Sequence, residues 1–246
     1  MLNISPTLAK FTELARTRRV ISVHTRLLAD HLTAIGLYAT LCGTREGTFL
    51  LESASEGVWS RYSFVGVHSA ATLTECGGKA VWLGRKLTGI GDGDPVSVLQ
   101  QTLTELATPA AEGLPPFHAG MVGYLGYDVA RRLEALPDTC ADDLRLPELV
   151  MMLASQVAVL DHKTQEVYLI FNAINYDGTD AGVERAYHEA VAGIEEMARQ
   201  LREPVPSLVE PAQEGLADLA VRRQRTSADY GEVVQATIAE IEAGGA

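Results

Sequence analysis

The chain has 246 residues, 47% hydrophobic and 21% charged, with 32 acidic against 20 basic side chains and a formal net charge of −12. That usage excludes a disordered chain, a coiled coil and a collagen-like repeat, and the acidic balance excludes a general nucleic-acid or anionic-membrane surface, which needs clustered Lys and Arg. At about 100–200 residues per domain, the length allows one large domain or two small ones.

In chain order, Ser5-Pro6 predicts an N-cap followed by proline at the first helical position, and Leu8, Phe11, Leu14 and Ala15 then recur at helical spacing. The β-branched run Val20-Ile21-Ser22-Val23 predicts a strand, and Leu32 to Leu41 a second helix closed by Gly43. Strand signals follow over Gly47 to Ser53, Trp59 to Val67, Ala71 to Cys76 and Lys79 to Leu83, the last two joined by the hairpin pair Gly77-Gly78. Asp94-Pro95 opens a capped helix with the apolar stripe Val98, Leu99, Leu103 and Leu106, and the proline-rich stretch from Pro109 to Pro116 is a loop.

Gly120 to Asp128 carries glycine at every third position, a spacing that would cost a helix about 1 kcal/mol per glycine. It therefore predicts a strand approached closely by a neighbouring backbone or side chain, with a helical stretch from Asp128 through Glu134. Leu149 to Leu160 and Glu166 to Ile174 flank a polar turn and predict a long buried hairpin. A helix is expected over Thr179 to Leu201, a proline-bearing linker from Glu203 to Pro211, and a last amphipathic helix capped by Ser227, with Tyr230, Val233, Val234, Ile238 and Ile241 on its apolar face. The fold class is α+β, with antiparallel strands packed against helices.

No segment approaches the roughly 20 apolar residues of a membrane span, and Met1 to Arg19 lacks the apolar core of a secretory signal. Cys42, Cys76 and Cys140 are odd in number and far apart, which suits neither a disulfide framework nor a zinc knuckle, so a reducing, cytoplasmic setting is expected. Asn3-Ile4-Ser5 matches the glycosylation sequon by chance.

Little of the chain encodes local chemistry. The six histidines fall in no metal-binding spacing, and no nucleophile elbow, Walker loop or dinucleotide-binding glycine motif is present. Gly91-Asp92-Gly93-Asp94 reads as a helix-entry turn rather than a phosphate loop, and Asp142-Asp143 and Glu195-Glu196 as solvated faces rather than acid/base pairs. Arg222, Arg223 and Arg225 read as a solvated linker. One strand ends differently: Phe49-Leu50-Leu51-Glu52-Ser53 closes on a carboxylate and a hydroxyl, before Trp59-Ser60-Arg61-Tyr62-Ser63-Phe64-Val65-Gly66 alternates aromatic and polar residues. Such an end, beside apolar walls, suits the head group of a free amino acid, although a hairpin end with Ser53 satisfying its own turn explains the same letters.

These two segments and Gly120 to Asp128 resemble the N-terminal region of anthranilate synthase component I, in the chorismate-utilising enzyme family. The closing helix, Tyr230 to Gly244, is similar to the one with which that family enters its chorismate-binding part. The resemblance implies a lyase of tryptophan biosynthesis that makes anthranilate and pyruvate from chorismate and ammonia, the ammonia coming from glutamine through an amidotransferase subunit in a hetero-oligomer. It implies a feedback site for L-tryptophan that includes Leu51, Glu52 and Ser53, with Ser53 and the local backbone holding the amino-acid head, apolar neighbours the indole, and Arg61 an optional further contact. It also implies Mg²⁺, whose ligands, like the catalytic residues, belong to a C-terminal half that this sequence does not include. The organisation expected is a regulatory region at 1–202, a linker at 203–226 and the first helix of a catalytic domain at 227–246, so that the chain is expected to be a partial sequence with no catalytic or metal residue of its own. The alternatives are component I of p-aminobenzoate synthase, also called aminodeoxychorismate synthase, and a free-standing amino-acid-binding module.

Overall fold

The computed structural model describes residues 2–52, 61–109, 111–137, 139, 141–203 and 223–244. Helix α1 (Leu8–Ala15) is capped by Thr7, whose hydroxyl accepts from the Lys10 N–H. Ser5, the expected cap, instead exchanges two backbone hydrogen bonds with His24, because an extended segment there finds the open edge of strand β1 (Val20–Leu28). Thr33 caps α2 (Ala34–Leu41), and β2 (Phe49–Leu51) follows as a short edge strand.

The two strands expected on either side of His68 are one, β3 (Tyr62–Cys76), with irregular register between Gly66 and Ala71. A single strand forms because its neighbour β6 offers partners along the whole length, from Asp161 opposite Tyr62 to Val150 opposite Thr74. Gly77 and Gly78, at φ +59° and +75°, turn the chain into β4 (Lys79–Gly84), as the glycine pair requires. Asp94 caps α3 (Pro95–Glu105) by accepting the Ser97 N–H at 2.8 Å, which settles the preceding glycine run as a helix entry.

After β5 (Gly120–Leu125), the expected helix from Asp128 is only a 3₁₀ turn, Tyr127–Arg132. Asp128 does not cap it; its carboxylate takes the Arg131 Nε at 2.6 Å. The hairpin β6 (Leu149–Asp161) and β7 (Glu166–Ile174) forms where its two apolar runs predict. Helix α4 (Val183–Gln200) starts later than expected, because Thr179 is engaged in a turn with Asp177 and the chain enters the helix through Gly182 at φ +78°. Helix α5 (Ser227–Glu242) is capped by Thr226 rather than Ser227, in a reciprocal capping box with Asp229.

The chain divides into two units, Met1–Ser207 and Leu208–Ala246. The first is an α+β unit built on one seven-stranded antiparallel sheet in the order β1-β7-β6-β3-β2, with β4 beside the second half of β3 and β5 beside the first half of β6. Helices α1, α2 and α4 cover one face, burying Phe11, Leu37, Leu41, Ile194 and Met197 against Val23, Val65 and Leu169. Full burial of each such side chain contributes roughly 1.5–3 kcal/mol. On the opposite face Phe49, Val157, Val159, Tyr168 and Ile170 form a second cluster, and α3 closes a third around Leu73, Leu99, Leu149 and Leu153. No helix among the described residues is long and apolar enough to cross a membrane.

Gly123 in β5 and Gly126 just beyond it show the close approach their spacing predicts. A Cβ on Gly123 would stand 1.8 Å from the carbonyl oxygen of Val150 on β6, and one on Gly126 3.3 Å from that of Glu148.

Candidate functional site

The end of β2 is placed by its register on β3: Phe49 opposite Gly66, Leu50 opposite Val65 and Leu51 opposite Phe64. Strand alternation sends Leu50 toward the helix-covered face and Leu51 toward the other. Reading across the sheet on that second face, Leu51 continues a row through Phe64, Val159 and Tyr168 to Arg26. Leu51 is 44% exposed, and Glu52, just beyond the strand, is exposed as well. Ser53 lies outside the described residues.

Three aromatic rings form a ledge beside this end. Phe64 meets Phe117 edge-on with centroids 5.6 Å apart, and Tyr62 meets Phe64 at 6.1 Å. Phe117 also packs against Phe49, whose ring covers Gly66: a Cβ there would fall 2.1 Å from Phe49 Cε1. Glycine at position 66 therefore lets the Phe49 ring lie flat on the sheet.

Arg61, at the entrance to β3, is committed to Asp161 rather than to Leu51 or Glu52. Its Nε donates to Oδ1 at 3.0 Å and its Nη2 to Oδ2 at 2.7 Å, while the guanidinium lies 4.8 Å from the centroid of the Tyr62 ring. The Asp161 side chain is fully buried. Burial alone would raise its carboxyl pKa, but hydrogen bonds from Arg61 and the Lys163 N–H, with the charge of Arg61, outweigh it and hold the carboxyl below the ordinary range. The same hydrogen bond from Arg61 to Asp161 pushes the guanidinium pKa up, so it stays charged. Nη1 of Arg61 has no partner among the described residues.

Chemically, the arrangement can offer backbone hydrogen-bonding groups, a carboxylate and aromatic surface to a small molecule. An edge strand ends in backbone groups beyond the ladder, an exposed carboxylate follows it, and an aromatic ledge and a guanidinium held by Asp161 lie on and beside the neighbouring strand β3. The one hydroxyl–imidazole contact nearby, Ser63 Oγ to His162 Nε2 at 2.7 Å, does not make a nucleophile, because Ser63 is buried. Among the described residues no group of three or more His, Cys, Asp or Glu side chains could hold a metal ion. The strand end at Leu51 and Glu52 and the alternation of Tyr62 and Phe64 are legible in the sequence, whereas Asp161 and Phe117, which come beside them from far along the chain, are not.

A family model described as chorismate binding enzyme matches residues 46–246. The chain is 42% identical over 236 residues to anthranilate synthase component 1 of Mycolicibacterium smegmatis, covering 95% of this chain and 45% of that protein. It is 44% identical over 240 residues to the protein of the same name in Mycobacterium tuberculosis H37Rv, covering 95% and 46%. Against that of Arthrobacter globiformis it is 46% identical over 214 residues, covering 85% and 40%. The chain thus spans a little under half the length of these curated relatives. The fold is similar to the crystal structure of anthranilate synthase component I from Streptococcus pneumoniae TIGR4, with a TM-score of 0.58 over 89% of this chain and 45% of that one. At 20% identity that likeness shows the fold alone.

Proposed function

Because this chain belongs to the chorismate binding enzyme family, we propose that it is the N-terminal part of an anthranilate synthase component I, a lyase that makes anthranilate and pyruvate from chorismate and ammonia. The observation that carries this reading is identity of 42–44% to proteins of that name across 95% of the chain. In that enzyme, 1–202 forms the regulatory region, 203–226 a linker and 227–246 the first helix of the catalytic part. Ammonia comes from a glutamine amidotransferase subunit in a hetero-oligomer, and the enzyme works in the cytoplasm.

The end of β2 is the proposed place for L-tryptophan, as a feedback inhibitor. Glu52 takes the ammonium group, Ser53 and the backbone beyond Leu51 take the carboxylate, and Leu51 with the ledge of Phe64 and Tyr62 meets the indole ring. An aromatic amino acid suits this place because its ring covers half-exposed apolar surface while its charges meet groups outside the ladder. Tryptophan then inhibits only by its differential affinity for one state of the complete enzyme. Mg²⁺ does not fit the described residues, which offer no cluster of ligands for it; its site is assigned to the rest of the enzyme.

Mass-spectrometric identification of the product formed from chorismate and an ammonium salt by the polypeptide extended to the relatives' full length tests this reading. Anthranilate with pyruvate is expected. Accumulation of aminodeoxychorismate would move the chain to the p-aminobenzoate branch.

A further inference from the structure

A cavity of about 280 Å³ opens between α1, the C-terminal end of β7 and the first turn of α4, on the helix-covered side of the sheet. Phe11, Ile21, Phe171, Ala173 and Ala186 give it an apolar patch, beside the polar side chains of His68, Ser155, Gln156 and Asn172. Its walls carry four arginines, Arg18, Arg19, Arg85 and Arg185, in a chain whose net charge is −12.

The charged groups are not equivalent. Arg19 serves the fold: Nε and Nη2 donate to the carbonyls of Asn175 and Tyr176 at 3.1 and 2.9 Å, and Nη1 meets Glu105 at 3.0 Å. Asp177, which also lines the cavity, accepts from the N–H and hydroxyl of Thr179, and these hydrogen bonds, with a smaller pull from the charge of Arg85, hold its carboxyl below the ordinary range. Three arginines are left. The half-buried Arg18 guanidinium makes no hydrogen bond or ion pair among the described residues. Arg85 lies on the ring of Tyr176, 4.4 Å from its centroid, and makes no ion pair among the described residues.

Arg185 lies in the first turn of α4, which also carries Glu184. Its Nη2 stands 3.1 Å from where a Cβ of Gly182 would be, folded back on the N-terminus of α4, where no side chain caps the helix. That end of a helix is positive, so a cation there is disfavoured and an anion favoured. Glu189, the acidic neighbour, is 3.6 Å from Arg185 Nε, and both side chains are largely exposed, so the pairing contributes little.

We propose that this cavity binds a small organic carboxylate with an apolar, ring-sized body, its charge held by Arg18, Arg85 and Arg185 and its body seated on Phe11, Ile21 and Phe171. A carboxylate matches the planar guanidinium fork. An inorganic anion would leave the apolar patch of Phe11, Ile21 and Phe171 wet, and an uncharged ring would leave Arg18 without a partner. The cavity is on the opposite face of the sheet from Leu51, so it stands independently of the tryptophan site.

Calorimetric titration of the folded chain with sodium benzoate, benzamide and sodium sulfate tests the proposal. Benzoate should bind saturably, with benzamide and sulfate at least about tenfold weaker. Arg18→Gln and Arg185→Gln should each weaken benzoate by about tenfold, the effect of losing one charge-assisted hydrogen bond, while melting without ligand as the parent does. Leu51→Arg should leave benzoate binding intact. Absence of saturable benzoate binding, equal binding of benzamide or sulfate, or unchanged benzoate affinity in both arginine variants would overturn the assignment. Loss of benzoate binding in Leu51→Arg would overturn the independence of the two sites.

Discussion

Arg61 grips the buried carboxylate of Asp161 from the neighbouring strand through a two-pronged contact at 3.0 and 2.7 Å, with Tyr62 beneath the guanidinium. Because Asp161 is buried, truncating its partner strands a charge; because Arg61 is 40% exposed, water repays part of the loss. Arg61→Ala is expected to destabilise the first unit by about 1–3 kcal/mol in urea unfolding. The folded-state pKa of Asp161 is depressed, so its contribution is fully present above the unfolded value of about 4 and is lost as pH falls through the folded value. Asp161→Asn should flatten that acid limb of the stability curve; an unchanged limb would show that the pair is not coupled to folding.

Phe49 over Gly66 gives a second expectation. A methyl at position 66 meets a side-chain ring, which can move, so Gly66→Ala should cost about 1–3 kcal/mol. In a Phe49→Ala background the same substitution should cost markedly less, because the obstacle is gone. Equal costs in the two backgrounds would contradict the stacking.

At Gly123 the obstacle is the Val150 carbonyl, a backbone group that no rotamer change removes. Gly123→Ala should therefore cost about 3 kcal/mol or more and exceed Gly66→Ala, since the ladder between β5 and β6 must open. Urea midpoints of the two variants measured side by side decide the order.

Cysteine reactivity should separate by burial. Burial pushes the Cys42 thiol up to about 11, against a smaller opposing pull from Arg45, and its Sγ lies 3.6 Å from the Gly66 carbonyl. Cys76 is exposed. In a Cys140→Ser background at pH 8, a thiol reagent should label Cys76 readily and Cys42 only on unfolding. Labelling of both at one rate in the folded chain would contradict the placement of Cys42.

Much of the fold is legible in the sequence because its signals are local. Gly77-Gly78, Asp94-Pro95 and the two apolar runs of the β6–β7 hairpin each carry their own instruction. What escapes is decided by distant partners. The gap at His68 looks like a strand break until β6 is seen to pair along both sides of it, and Ser5 looks like a cap until the edge of β1 claims it. At the candidate site, Leu51 and Glu52 are visible as a strand end, whereas Asp161 reads only as a turn residue, since its partner Arg61 precedes it by 100 residues.

The central claim is tested most directly by following anthranilate fluorescence from chorismate and ammonium in the full-length enzyme while L-tryptophan is titrated, for the parent and for Ser53→Arg. Anthranilate should form in both, with tryptophan suppressing the parent and at least about tenfold more of it needed for the variant, as expected when the head group loses the Ser53 hydrogen bond and a long side chain fills its place. A parent that makes no anthranilate, or identical tryptophan curves for the two proteins, would contradict the account.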